Sequence, residues 1–141
     1  LLEARLLAVV PRDPRLASLP RFPIKEVEHE PFISLLETSD HDARRALEAA
    51  GVTPNIRYTT KDDYAIIAMV EQGLGVSIMP ELLLSGRSDN VRVMELTPPA
   101  SRTIGLCLPD ADRAGPATLR FADCVSDWVR EHYSRIQNTL S

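Results

Sequence analysis

Between Met69 and Pro80 the chain reads Met-Val-Glu-Gln-Gly-Leu-Gly-Val-Ser-Ile-Met-Pro, and no other run constrains the fold as much. An apolar helical stretch stops at Gly73, a second glycine follows at Gly75, and a β-prone segment from Val76 to Met79 ends on Pro80. Helix, tight turn, buried strand and stop is the order expected of an α/β domain.

The flanking sequence continues that alternation. Leu6 to Val10 is an apolar run ended by Pro11 and reads as a buried strand. The four prolines between Pro11 and Pro23 predict a loop or a chain crossing, because proline lacks an amide donor. Ile24 to Val27 fits one helical turn, and Pro31 to Leu35 a second strand. Thr38, Ser39 and Asp40 open a helix in which Ala43, Ala46, Leu47 and Ala50 form one apolar stripe, and Gly51 ends it. Ile56 to Thr59 predicts a third strand.

Asp62 and Asp63 mark the next helix start, with Ile66, Ile67, Val70 and Leu74 as its buried face. A short helix is expected over Pro80 to Leu84. Val91 to Leu96 and Thr103 to Leu108 predict two strands separated by a turn at Pro98-Pro99. A long amphipathic helix follows Gly115-Pro116, lined on one face by Phe121, Ala122, Val125, Trp128, Val129, His132 and Ile136. Such alternation implies right-handed crossovers and a largely parallel, covered sheet.

Composition narrows the function. A net charge of -4, with sixteen basic residues scattered among twenty acidic ones, argues against this chain binding nucleic acid, because contacts to its phosphates need clustered Lys and Arg. No apolar run approaches the roughly eighteen residues that span a bilayer. The start, Leu1-Leu2-Glu3-Ala4-Arg5-Leu6, carries charges within its apolar run, unlike a signal peptide, and has no Met, so the beginning is expected upstream. Cys107 and Cys124 read as two small buried thiols, and His29, His41 and His132 form no metal-ligand spacing. No metal and no cofactor is expected.

Catalysis is not expected either. Ser34, Ser39 and His41 lack a nucleophile elbow or a positioned acid–base pair. Gly73-x-Gly75 follows a helix and lacks a third glycine, so it is no dinucleotide fingerprint. Asp40 and Asp42 face different sides of a helix, and His132 reads as a packed core histidine. Thr38, Ser39, Thr59 and Thr60 lie beyond strand ends at helix N-termini. There they can be simple caps or can face an anionic ligand, with Lys61 either a countercharge or a solvated surface lysine.

Five segments in order resemble the effector-binding domain of LysR-type transcriptional regulators. They are Ala8-Val9-Val10-Pro11 with Asp13-Pro14-Arg15-Leu16-Ala17, Glu30-Pro31-Phe32-Ile33, Gly51-Val52-Thr53-Pro54, Gly73 to Pro80, and Arg102-Thr103-Ile104-Gly105-Leu106. The likeness covers nearly the whole chain; Pro14-Arg15 stands where a His-Pro pair is usual. It implies an α/β fold of the periplasmic-binding-protein type 2, Rossmann-like, with an incomplete second lobe. Residues 1–10 are then a first-lobe strand and crossing, 11–108 the second lobe, and 109–141 the return crossing and first-lobe helix.

The resemblance further implies a small-molecule effector, possibly a carboxylate, bound between lobes by Ser34, Thr38, Ser39, Thr60 and Lys61. It implies a cytoplasmic homo-oligomer that meets DNA only through a helix-turn-helix outside these 141 residues, and meets no membrane. The alternative is an extracytoplasmic solute-binding protein of the same fold. Trp128 and its neighbours are expected to need a cover, either the remainder of a longer chain or an oligomer partner, because exposing their apolar face is unfavourable.

Overall fold

The computed structural model describes residues 1–36, 41–86, 90–108, 110 and 113–139, with side chains as far as Tyr133. Its elements alternate as β1 (Leu2–Val10), α1 (Pro14–Ala17), β2 (Phe22–Pro23), a 3-10 turn (Ile24–Glu28), β3 (Phe32–Leu35), α2 (His41–Ala49), β4 (Ile56–Thr60), α3 (Asp63–Glu71), β5 (Ser77–Pro80), α4 (Glu81–Leu84), β6 (Arg92–Ile104) and α5 (Pro116–Thr139). The α/β alternation is as expected. Within the proline-rich stretch, however, Asp13 caps a helical turn beginning at Pro14, where a missing amide costs nothing.

β3 and β4 run parallel, pairing Ser34 with Thr59 and Leu35 with Thr60. β1 lies between β5 and β6 and is antiparallel to both, while β2 adds a short parallel pairing with β6. Val76 joins the two sheets: it bridges Phe32, its amide donates to Pro31 O at 2.8 Å and its carbonyl accepts from Ile33 N at 2.9 Å. The sheet is therefore mixed, not largely parallel. Counting strands and helices in order cannot reveal that β1 and β6, more than eighty residues apart, return alongside each other.

β6 is one strand where two were expected. Its ladder with β1 jumps from Leu7↔Glu95 to Leu6↔Ala100, so residues 96–99 have no partner in β1. Pro98 and Pro99 thus owe that ladder no hydrogen bond, and the strand passes through them without a turn. Residues 105–108 lie outside any strand.

Side-chain alternation divides the core. Leu6, Ala8, Val10, Phe32, Ile78, Met94 and Leu96 pack with Ala43, Leu47 and Val52 on the α2 side. Leu7, Val9, Ile33, Met79 and Val91 pack with Ile66, Ile67 and Val70 on the α3 side. Leu74, expected on that buried face, is exposed, because it lies beyond the end of α3 at Gly73, whose φ of 75° ends helical periodicity. Gly75 has no room for a side chain: a Cβ there would come within 2.3 Å of Pro31 O.

α5 is a long helix, as expected, but part of its apolar face is uncovered. Phe121 and Trp128 are 66% and 58% exposed, and His132 stacks on Trp128 at 4.3 Å instead of packing in a core. Both cysteines are exposed rather than buried, Cys107 in irregular chain and Cys124 on α5.

Candidate functional site

The C-terminal ends of β3 and β4 lie side by side, and Leu36 N donates to Thr60 O at 2.9 Å just past the ladder. Only five residues separate the last residue of β3 from the first of α2, and two separate β4 from α3. Both helices therefore begin at this one edge of the sheet, with their free amides and positive dipole ends there. Ligands of open α/β sheets collect at such an edge.

The structure brings Ser34, Thr60 and Lys61 to this edge. Thr38 and Ser39 lie outside the described residues. Ser34 and Thr59 share one ladder row and line a mostly apolar cavity of about 500 Å3 with Leu36, Ala43, Arg44 and Leu47. The Ser34 hydroxyl donates to Leu35 O at 2.9 Å. Thr60, one row on, projects toward the opposite face by strand alternation.

Capping of α3 falls to Asp62, one of the residues that mark this helix start in the sequence, and not to Thr59 or Thr60. Asp62 is its N-cap and accepts from Tyr64 N at 2.9 Å, while Thr60 Oγ1 accepts from Asp62 N at 3.2 Å. The chain is thereby turned sharply between strand and helix, and Lys61 is left exposed at the bend.

One charged residue of the edge was missed as a site candidate. Arg102, on the far half of β6, donates through Nη1 to Asp42 Oδ2 at 3.1 Å in the first turn of α2. Its positive charge also acts on Asp63 in the first turn of α3. Burial and then Asp62 push the Asp63 carboxyl above its usual range, and Arg102 opposes them. Arg102 thus sits at the first turn of α2, with its charge felt by Asp63 at the start of α3. With Asp42, Arg45, Ser101 and Thr103 it lines a cavity of about 460 Å3, a size suited to a small molecule. The sequence carried a signal, since Arg102 opens the return-crossing motif, but the pairing with Asp42 spans sixty residues.

Among the described residues no group of three potential ligands could hold a metal ion. No described helix is long and apolar enough to cross a membrane.

Comparison with known proteins bears on this arrangement. Residues 1–130 match the family model described as the LysR substrate binding domain. The chain is 29% identical over 124 residues to YvbU, an uncharacterized HTH-type transcriptional regulator of Bacillus subtilis (strain 168), covering 86% of this chain and 42% of that protein. Among solved structures it resembles HinK, a LysR family transcriptional regulator from Pseudomonas aeruginosa, with a TM-score of 0.68 and 26% identity over 86% of this chain and 44% of that one. It also shares the fold of the effector binding domain of QuiR, solved with shikimate, with a TM-score of 0.68 and 20% identity over 92% of this chain and 63% of that one. The chain spans less than half the length of the curated relatives it matches.

Proposed function

This chain belongs to the family of LysR substrate-binding domains, and on that premise we propose that it is the effector-sensing part of a transcriptional regulator. The family is one of transcriptional regulators, not enzymes. In the proposed reading a small anionic molecule lodges at the C-terminal edge of β3 and β4, held by Thr38, Ser39, Thr60 and Lys61, with Ser34 beside them. The single observation that carries it is that α2 and α3, packed on opposite sides of the sheet, both begin at that edge.

The same reading divides the chain by lobe. Residues 1–10 are the first-lobe strand and crossing and residues 11–108 the second lobe, an out-and-back path that the long antiparallel pairing of β1 with β6 supports. Residues 109–141 return to the first lobe. Effector binding alters the angle between lobes and so the placement of DNA-binding domains in a homo-oligomer. A ligand shifts such an equilibrium only by its differential affinity for the two arrangements. That QuiR was solved with shikimate supports looking first among organic acids.

Isothermal titration of the full-length regulator against a panel of organic acids and phosphorylated metabolites tests this. Lys61→Ala is expected to weaken binding of the effector about tenfold, the loss of one charge-assisted hydrogen bond. Affinity unchanged by Thr38→Ala, Ser39→Ala, Thr60→Ala and Lys61→Ala alike would remove the effector from this edge.

A further inference from the structure

The ribbon of β1 and β6 is interrupted at one row. β5 accompanies β1 from Val9 to Leu6, where Pro80 ends it, and the parallel bridge of Val76 with Phe32 sets β5 alongside β3. Residues 2–5 of β1 therefore run on past the edge at which β3, β4 and β5 stop, paired there with residues 101–104 of β6. The ladder between β1 and β6 jumps at that same level, between Leu6 and Leu7, where residues 96–99 are passed over. A ribbon bends most easily where its ladder is interrupted.

Two arginines sit just past this row, one on each face. Arg5 goes with Leu7 and Val9 to the α3 side, while Arg102, opposite Ala4, goes with Leu6 and Ala8 to the α2 side. Each reaches back across the break to a carboxylate at a helix start. Arg5 Nε donates to Glu81 Oε2 at 2.8 Å, on the first residue of α4, and Nη1 donates to Glu95 Oε1 at 3.1 Å, on the last row before the jump. Arg102 Nη1 donates to Asp42 Oδ2 at 3.1 Å in the first turn of α2. α5 joins the first of these pairs, since the Tyr133 hydroxyl lies against both Glu81 and Glu3 O. Glu81 is fully buried, so a swing that carried Arg5 and Tyr133 away would strand its charge out of water. The pair at Asp42 is only partly buried and holds less firmly.

We infer that the row between Leu6 and Leu7 is the pivot between the lobes, and that Glu81 and Asp42 are latches holding its angle from opposite faces. This rests on the two-lobed reading above and adds the device that sets the resting angle. An effector that favours another angle works against both latches. Its apparent affinity is reduced to the fraction of molecules in which they have let go.

Pulsed electron spin resonance reads the angle as a distance. Spin labels go on His29→Cys in the second lobe and Asp123→Cys on α5, both exposed, in full-length protein whose other cysteines are serine. Labelled subunits are diluted in excess unlabelled protein, so that only pairs within one chain are read. The expected wild-type result is a single narrow peak. Glu81→Gln, Tyr133→Phe and Asp42→Asn should each widen it about twofold or more. Tyr133→Phe and Asp42→Asn carry the test should Glu81→Gln fail to fold. Arg15→Gln, which breaks the pair with Glu30 within the second lobe, should leave the peak unchanged. Pro98→Gly with Pro99→Gly frees φ at the pivot and should widen the peak without touching a latch. If the glycine variant widens it and the folded latch variants do not, the latches are overturned and the two lobes stand. If neither widens it, no pivot lies at this row, and the two-lobed reading falls with the latches. A wild-type peak as broad as that of the glycine variant, or equal widening by Arg15→Gln, would also overturn the latches.

Discussion

At the scale of single residues, the most consequential side chain is one that does not belong to the effector edge. Glu81 is fully buried, accepts from Arg5 N at 2.7 Å and Arg5 Nε at 2.8 Å, and receives the Tyr133 hydroxyl. The same hydroxyl lies 2.8 Å from Glu3 O, so its one proton is shared between that carbonyl and Glu81, and the cluster ties α5 to β1. Burial pushes the Glu81 carboxyl up, but the Tyr133 hydroxyl and the amide and guanidinium of Arg5 outweigh it, leaving it below the usual glutamate value. A carboxyl depressed in the folded state contributes stability that is complete above its unfolded value of about 4.3 and is lost as pH falls through the folded one. Glu81→Gln should destabilise the chain by about 1–2 kcal/mol at pH 7, because Arg5, partly exposed and still paired with Glu95, loses its buried counter-ion. In urea unfolding the gap between wild type and variant should narrow steadily below about pH 4.3. A gap that stays constant down to pH 3 would show that the Glu81 charge contributes nothing. Asp63 runs the other way. Its carboxyl is raised in the folded state, so acidification favours folding through it, and Asp63→Asn should flatten that part of the profile.

Secondary-structure elements were legible wherever local chemistry decides them. The apolar stripe of α2, the glycine that ends it and the β5 segment lie where their residues predict. What the sequence could not show was partnership across distance. Arg5, Glu81 and Tyr133 are separated by 76 and 52 residues, and Glu81 alone reads as an ordinary surface residue in a helical first turn. The same holds near the proposed effector edge: Ser34, Thr60 and Lys61 were legible as strand-end residues, while the pairing of Arg102 with Asp42 at the start of α2 was not. The join between β3 and β5 gives a sharp test at this scale. Gly75 backs onto Pro31, and the Ser77 hydroxyl donates to Ile33 O at 2.7 Å inside the core. Gly75→Ala should cost about 2 kcal/mol or more, since backbone must shift to admit the methyl. Ser77→Ala should cost about 1 kcal/mol, the net worth of one buried hydrogen bond. Gly73→Ala meets no atom within 4 Å and is penalised only by its φ of 75°, so its loss should be the smaller of the two glycine changes. A urea midpoint lower for Gly73→Ala than for Gly75→Ala would contradict the close approach.

Over the whole molecule the question is what the outward face of α5 meets. The helix is anchored from one side, where Ser126, Val129 and Tyr133 face Leu1, Leu2 and Glu3, while Phe121 and Trp128, two turns apart on one face, remain 66% and 58% exposed. Two large aromatic side chains left open on one helix face call for a partner surface. In the proposed two-lobed arrangement this face packs within the first lobe, and the relatives, more than twice as long as the matched stretch, supply chain enough to cover it. Trp128 is the sole tryptophan of these 141 residues, so once any tryptophan elsewhere in the full-length protein is replaced by phenylalanine its fluorescence reports on this face alone. In the 141-residue chain acrylamide should quench it readily, and its emission should lie near that of indole in water. In the full-length regulator the emission should move to shorter wavelength and the quenching constant should fall severalfold. If dilution of the full-length protein to the monomer restores ready quenching, the cover is a second subunit. If quenching stays low on dilution, the cover is the same chain. Ready quenching at every concentration would mean that neither covers Trp128, and the assignment of residues 109–141 to a first lobe would fall.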